Sequence, residues 1–151
     1  MTQTQPQVDP FSLDGFEQLQ AMMGGQLPPP PIAATLGLVN FAGERGEISV
    51  ELVPELRHYN PLGSVHGGVL STMLDTAAGC TVHSTLAVGE AYTTLDLTVK
   101  FLRPATVESG LLRAVGTVIQ RGRRTALAEA QLADEAGRLL AHATSSCMIF
   151  S

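Results

Sequence analysis

Residues 60–75 read NPLGSVHGGVLSTMLD, and the pattern in this stretch decides the fold. From His66 onward, apolar residues recur three and four positions apart, which is the spacing of a helix that buries one broad face. These positions are Val69, Leu70, Met73, Leu74, Ala77, Ala78 and Val82. We predict that the longest helix of the chain begins at His66-Gly67-Gly68 and that a sheet wraps around it.

The segments on both sides of this helix have β-like patterns. Between residues 36 and 53, two short runs flank a glycine-containing turn and predict a hairpin. After Gly89, the apolar residues Leu95, Leu97, Val99 and Phe101 alternate with polar ones, which predicts one half-buried strand. Three later runs, 111–120, 125–134 and 139–150, are separated by turn clusters and predict an antiparallel meander. We expect an α+β fold whose helix covers an antiparallel sheet of about six strands.

The first part of the chain has a different composition. Residues 1–10 are polar, and residues 28–31 are four consecutive prolines, which cannot continue a helix. Apolar residues between Phe11 and Met23 predict a short amphipathic helix that packs on the main body. We therefore assign residues 1–31 to an N-terminal extension with a short helix and a proline-rich linker, and residues 32–151 to the main domain.

Composition narrows the classes of function. A net charge of −5 without a long basic stripe argues against a nucleic-acid partner. No stretch is long and apolar enough for a membrane span, and the N-terminus has no secretory signal pattern, so we expect a cytoplasmic protein. The two cysteines, Cys80 and Cys147, have no ligand-spaced partners, which predicts neither a disulfide framework nor a metal site. We expect His83 on the exposed side of the helix.

Two features of the long helix point to chemistry. Its first N–H groups have no partner inside the helix, and the glycines at 67 and 68 leave room for a carbonyl oxygen to approach them. Asp75, in the middle of the helix, has poor helix propensity and lies beside the apolar stripe. Gly67 and Asp75 are eight residues apart, or about 12 Å along the helix axis. If both serve one reaction, two subunits must pair their helices antiparallel around a two-fold axis.

Several residues together resemble the hotdog-fold acyl-CoA thioesterases of the phenylacetic acid degradation (PaaI) type. The resemblance covers nearly the whole chain from about residue 35. It rests on Asn60, Gly63, His66-Gly67-Gly68, Asp75, Thr94-Leu95-Asp96-Leu97 and Phe101-Leu102-Arg103-Pro104. It implies a hotdog fold, in which a sheet wraps a long central helix, and hydrolysis of an acyl-CoA thioester, with an aryl-acetyl or medium-chain acyl group.

The resemblance also implies roles for individual residues. Asp75 would be the catalytic carboxylate, acting as a general base on water or as a nucleophile on the thioester carbon. The Gly67 N–H would polarise the thioester carbonyl, with His66 supporting this end of the site. Asn60 would position the water or the carboxylate. The Thr94 hydroxyl would contact Asp75 or the water, although an uncertain register leaves Thr93 as an alternative.

Coenzyme A would be part of the substrate, so no separate cofactor is expected. Its phosphoryl groups require cations, and the basic cluster Arg121, Arg123 and Arg124 is the candidate for them, with Gly68 as a further contact. We expect a homodimer as the active unit and a homotetramer as the assembly. Two alternatives remain: a hotdog hydratase or dehydratase, for which no matching His is found, and a non-catalytic acyl-CoA-binding protein.

Overall fold

The computed structural model describes residues 8–151, which form an α+β fold. The helices are α1 (Gly15–Met23), α2 (Pro31–Leu36) and α3 (Gly67–His83). The strands are β1 (Leu38–Glu44), β2 (Glu47–Leu52), β3 (Ala91–Thr94), β4 (Thr98–Phe101), β5 (Leu112–Arg121), β6 (Thr125–Ala133) and β7 (Leu139–Phe150). All strand pairs are antiparallel, in the order β1-β2-β5-β6-β7-β3, and β4 also pairs with β7.

The long helix α3 lies against the sheet, as its apolar stripe predicts. Six of the seven predicted stripe residues, Leu70, Met73, Leu74, Ala77, Ala78 and Val82, are at most 3% exposed, whereas Val69 in the first turn is only partly buried. Strand β5 packs directly against the backbone of α3 at Gly116, where an added Cβ would collide with the Ala77 carbonyl oxygen. A glycine at this position therefore sets the distance between the helix and the sheet.

The predicted hairpin and meander are confirmed as β1-β2 and β5-β6-β7. The single strand predicted around residues 95–101 is wrong, because the structure has two short strands, β3 and β4, with a break at 95–97. At the break, an Asp96 carboxylate oxygen accepts the Ser146 N–H (2.9 Å), and the Asp96 carbonyl accepts the Ser145 hydroxyl (3.0 Å). Side-chain hydrogen bonds thus replace ladder bonds and divide the strand, so the sheet has seven strands rather than six.

The N-terminal extension packs on the main body, as predicted. Helix α1 begins with a capping box between Asp14 and Glu17, and Arg45 forms an ion pair with Asp14 (2.8 Å). The Gly15 N–H donates to the Leu86 carbonyl just after α3. Residues 1–7 of the predicted extension lie outside the described residues. The predicted linker leads directly into α2, because Pro31 occupies the first turn of that helix.

One side-chain prediction at the end of α3 is wrong. His83 is not on an exposed face: it is partly buried beneath α1, where its Nε2 lies 2.7 Å from the Gln18 Oε1. Its ring also packs edge-on against Tyr92. The sequence could not indicate this, because the covering residues come from a distant helix. No helix among residues 8–151 is long and apolar enough to span a membrane.

Candidate active site

Asp75 and Thr94 form one half of the candidate site. Asp75 is half-buried on the flank of α3, and the Thr94 hydroxyl on β3 donates a hydrogen bond to its Oδ1 at 3.4 Å. Burial raises the pKa of the Asp75 carboxyl, and the Thr94 hydrogen bond opposes that shift. Thr93 is exposed on the opposite side of the strand, so the structure selects Thr94 from the two alternatives.

The N-terminal end of α3 forms the other half. His66 is the N-cap residue, and its Nδ1 accepts the Gly68 N–H at 2.8 Å. The proton of a neutral His66 ring is therefore on Nε2. Val69 and Leu70 donate their N–H groups to the His66 carbonyl, whereas the Gly67 N–H has no hydrogen-bond partner within residues 8–151. Gly67 thus offers a free backbone donor at the positive end of the helix.

Asn60 lies near this donor, and both residues line one cavity at the start of α3. The cavity measures about 310 Å³, and Gly67, Phe101 and Arg103 also line it. The Asn60 Oδ1 accepts the N–H groups of Leu62 and Ser64, and its Nδ2 donates to the Ser64 hydroxyl (3.1 Å). These bonds fix the Asn60 side chain within its loop, so it is pre-oriented at the cavity wall.

The two halves lie on one flank of α3 but do not meet within a protomer. Asp75 contacts β3 at Thr94, and Gly67 faces β4, where its Cβ position lies 3.1 Å from the Phe101 ring. Eight helical residues separate them, or about 12 Å along the axis. A single thioester carbonyl cannot therefore contact the Gly67 N–H and the Asp75 carboxylate of the same protomer.

The three arginines of the predicted cluster do not share one environment in the fold. Arg121 is partly buried in an ion pair with Glu90, and its Nε donates to the Thr85 hydroxyl (3.1 Å). Arg123 and Arg124 are exposed beside a cavity of about 420 Å³ near the C-terminal end of β7. The latter two arginines have the accessibility that phosphate binding requires, whereas Arg121 would first have to leave Glu90. The predicted Gly68 contact cannot use its N–H, which His66 already occupies.

The cavity beside Gly67 is also lined by Phe101 and Arg103. From the sequence, Phe101 had no site role and Arg103 was a weaker candidate for the coenzyme A phosphates. The alternating pattern suggested that Phe101 is buried in a strand, but the side chain is 55% exposed. Arg103 donates its Nη1 to the Leu139 carbonyl at 2.7 Å, which places its charge at the cavity edge. The spacing of both residues from Gly67 was visible in the sequence, but their position on the same cavity wall was not.

Comparison with known proteins identifies the family. The model of the thioesterase superfamily matches residues 62–141, which include α3 with Asp75 and most of the sheet. The chain belongs to the thioesterase superfamily. Its fold is the hotdog fold, and it is a thioester hydrolase, as the sequence predicted.

The chain is similar to one solved structure and to two proteins with named activities. The solved structure of a phenylacetic acid degradation-related protein from Ralstonia eutropha is 36% identical, has a TM-score of 0.78 and covers 85% of this chain and 97% of its own. A 1,4-dihydroxy-2-naphthoyl-CoA hydrolase of Listeria monocytogenes is 28% identical over 70% of this chain and 85% of its own. The medium/long-chain acyl-CoA thioesterase YigI of Escherichia coli is 32% identical over 56% of this chain and 62% of its own.

Proposed function

We propose that this thioesterase hydrolyses an acyl-CoA to a free acid and coenzyme A at a site shared between two subunits. One observation supports this most directly. A half-buried carboxylate, Asp75, and a free helix N-terminal donor, Gly67, lie on the same flank of α3, too far apart to act together in one protomer. The named substrates of two relatives are acyl-CoA thioesters, which supports the choice of leaving group.

Asp75 is the proposed catalytic carboxylate. As a general base, it removes a proton from water while the water oxygen bonds to the thioester carbon. As a nucleophile, its oxygen bonds to that carbon and forms an anhydride, which water then opens. In both routes the C–S bond breaks and the coenzyme A sulfur leaves with the electron pair. Quenching a single turnover with hydroxylamine distinguishes the routes, because only the anhydride can leave a hydroxamate on the Asp75 side chain, which peptide mass spectrometry detects.

The N-terminal end of α3 is the proposed electrophile-binding half. The Gly67 N–H donates to the thioester oxygen as negative charge develops on it. His66 is the N-cap and orients the first turn, and its Nε2–H points away from the backbone bond that Nδ1 makes. Asn60 has one Nδ2 hydrogen beyond its bond to Ser64, and we assign this hydrogen to the lytic water or the carboxylate.

The proposed dimer pairs two copies of α3 antiparallel along the β3-β4 edge. This edge has no neighbouring strand among the described residues beyond β7, and the exposed Leu95, Phe101 and Leu102 flank it. An open strand edge with exposed apolar side chains favours association with a second chain. We also propose that dimers pair into a tetramer, since Leu127, Met148 and Phe150 expose 37% to 50% of their surface on neighbouring strands.

The phosphate groups of coenzyme A are assigned to Arg123 and Arg124. Both arginines are exposed beside the cavity at the C-terminal end of β7. Arg121 contacts a phosphate only if the phosphate displaces Glu90 from its ion pair with this arginine. Gly68 contributes only by its lack of a side chain, which leaves room for the ligand. Charge reversal at Arg123 and Arg124 should raise KM for acyl-CoA and leave KM for a short thioester without the nucleotide unchanged.

A screen of acyl-CoA esters with detection of the released thiol tests the proposal. Wild-type protein should hydrolyse at least one linear or aryl acyl-CoA, and Asp75→Asn should lose about 10²-fold or more in kcat. Hydrolysis that survives Asp75→Asn contradicts the catalytic assignment. A hotdog hydratase is less favoured, because the matching family model and the named relatives are thioesterases or a CoA hydrolase.

A further inference from the structure

A buried histidine lies at the start of the loop that carries Asn60. His58 ends a short helical turn, Leu56–His58, and only 4% of its surface is exposed. Its ring makes two hydrogen bonds: Nδ1 accepts the Glu55 N–H at 2.9 Å, and Nε2 lies 2.8 Å from the Leu36 carbonyl oxygen. The first bond stays within the loop, whereas the second joins the loop to the end of α2.

The partners of the ring determine which tautomer it adopts. A backbone N–H can only donate and a carbonyl oxygen can only accept, so Nδ1 carries no proton and Nε2 carries one. A doubly protonated ring would direct an N–H towards the Glu55 N–H, so only the neutral ring makes both bonds. The Nε2–H therefore donates to the carbonyl of Leu36, the last residue of α2, where helix carbonyls have no partner within the helix.

The backbone of His58 connects the loop to the start of α3. Its carbonyl oxygen accepts the N–H of His66, the N-cap of α3, at 2.8 Å. Two residues further along, the Asn60 N–H donates to the Ser64 carbonyl, also at 2.8 Å. These two bonds pair the part of the loop that follows His58 with the part that enters the helix. A displacement of His58 would therefore move Asn60 and the Gly67 end of α3 together.

The other contacts of the loop lead to a different part of the chain. The Val65 N–H donates to the Ala105 carbonyl at 2.8 Å, and the Tyr59 hydroxyl accepts the Val107 N–H at 2.8 Å. Both bonds end in the segment between β4 and β5. The His58 ring thus supplies the buried contact of this loop with α2.

Arg57 provides a comparison at the same end of α2. Its guanidinium donates to the Thr35 carbonyl (3.0 Å) and to the Leu36 carbonyl (3.3 Å), but 48% of the side chain is exposed. Hydrogen bonds of an exposed side chain compete with water, whereas the His58 bond to the Leu36 carbonyl is shorter and shielded. The two neighbouring residues therefore offer an exposed and a buried contact with one helix end.

We infer that His58 is a positioning residue of this thioesterase: its Nε2–H, by joining the loop to α2, sets the positions of Asn60 and of the Gly67 N–H. The inference rests on the proposed function, because it concerns the electrophile-binding half of that site. His58 is buried and does not line the cavity at the start of α3, so it acts through these two residues and not on the substrate. A misplacement of about 1 Å caused far from the chemistry can cost about 10²-fold in rate, so the contact affects kcat.

Two substitutions each remove one of the two ring bonds. Glutamine places an amide N–H near the Nε2 position, so His58→Gln keeps the bond to the Leu36 carbonyl and loses the acceptor for the Glu55 N–H. Asparagine places its carbonyl oxygen near the Nδ1 position, so His58→Asn keeps the Glu55 bond and loses the contact with α2. Because each variant loses one buried hydrogen bond, both should melt below wild type by similar amounts. A difference in activity between them therefore reports the contact with α2.

The measurements are kcat and KM for an acyl-CoA substrate and the amide NMR signals of Asn60 and Gly67. His58→Asn should lower kcat by about 10-fold or more, leave KM unchanged and shift both amide signals. His58→Gln should keep kcat and both signals close to wild type. Arg57→Ala is the matched control, because it removes the exposed bonds to the end of α2 and should leave kcat unchanged.

The outcomes separate this inference from the proposed function. If wild-type protein hydrolyses no acyl-CoA, the proposed function fails, and a shift of the two amide signals in His58→Asn but not in His58→Gln still supports the loop contact. Unchanged signals in folded His58→Asn overturn the inference. With active wild type, equal losses of kcat in the two His58 variants, a change confined to KM, or an equal effect of Arg57→Ala also overturn it.

A second variant perturbs the same contact from α2. Gly37 follows Leu36 with a φ of 80°, and an added Cβ there would lie 2.8 Å from the Arg57 Nη2. Gly37→Ala should therefore displace the Leu36 carbonyl and lower kcat with KM unchanged. If His58→Asn does not fold, an unchanged kcat in Gly37→Ala overturns the inference.

Discussion

The Thr94 hydroxyl on β3 donates a hydrogen bond to the Asp75 carboxylate on α3, with 3.4 Å between Oγ1 and Oδ1. Among residues 8–151, this is the one hydrogen bond that opposes the effect of burial on the Asp75 pKa. Burial favours the neutral acid, whereas the hydroxyl favours the charged base. The hydrogen bond therefore links β3 to the protonation state of Asp75, the proposed catalytic group. Substitution of Thr94 tests this link.

Replacing Thr94 with valine should shift the pH dependence of kcat/KM. Valine keeps the shape but removes the donor, so the pKa of Asp75 rises and the acid limb of the profile moves to higher pH. Activity should therefore fall more at low pH than at high pH. Thr94→Ser retains the hydroxyl and is the control, with a profile like that of wild type. A uniform loss at all pH values would indicate a structural role only.

Asp75→Asn should stabilise the fold near neutral pH. Because burial raises the folded-state pKa of Asp75 above its unfolded value of 3.8, the carboxylate costs stability once it ionises. That cost grows as pH rises through the window above 3.8, and it is absent below it. The gain should be under about 1 kcal/mol, because the half-exposed group remains partly hydrated. Thermal melts at pH 7 and pH 3.5 measure it, and an equal effect at both pH values would contradict the explanation.

Gly67→Ala should reduce kcat/KM by about 10² or more by misplacing the donor of the electrophile-binding half. The new methyl group would lie 3.1 Å from the Phe101 ring, so the ring or the start of the helix must move. Phe101→Leu in the same chain should relieve this contact and restore part of the activity. If the double variant is as impaired as Gly67→Ala alone, the methyl group acts on the ligand and not through Phe101.

Mixing two inactive variants should test the shared site. When Asp75→Asn subunits exchange with Asn60→Ala subunits, a mixed dimer with shared sites has one site with both defects and one intact site. Random exchange should therefore restore about a quarter of wild-type activity. Native mass spectrometry must confirm that mixed dimers form. No recovery after proven exchange would show that each site lies within one subunit.

Gly116→Ala should destabilise the fold by about 1–3 kcal/mol or more, because the methyl group would collide with the Ala77 backbone carbonyl. The backbone of α3 cannot move away as a flexible side chain would. The neighbouring exposed residue provides the control, and Thr117→Ala should change stability by less than about 0.5 kcal/mol. Urea unfolding of both variants makes the comparison. Similar unfolding midpoints for the two variants would mean that α3 and the sheet move apart to accommodate the methyl group at little cost in stability.

Part of the candidate site could be predicted from local patterns. The periodicity after His66 predicts α3, and the helical rise alone separates Gly67 from Asp75 by about 12 Å. The division of β3 from β4 could not be predicted, because Asp96 looks like any polar residue of an alternating strand. Only its hydrogen bonds to Ser145 and Ser146, some 50 residues later, reveal that it replaces ladder bonds.

The sequence by itself determined the long helix, the antiparallel meander and the separation of the two halves of the site, since periodicity and residue spacing are local properties. The family was indicated by the resemblance of its motifs. Tertiary structure alone decided that Thr94 and not Thr93 meets Asp75, that Glu90 engages Arg121, and that the N-terminal extension covers Cys80. Each of these contacts joins segments that are distant along the chain. Their formation depends on strand register and packing, which no local pattern of residues records.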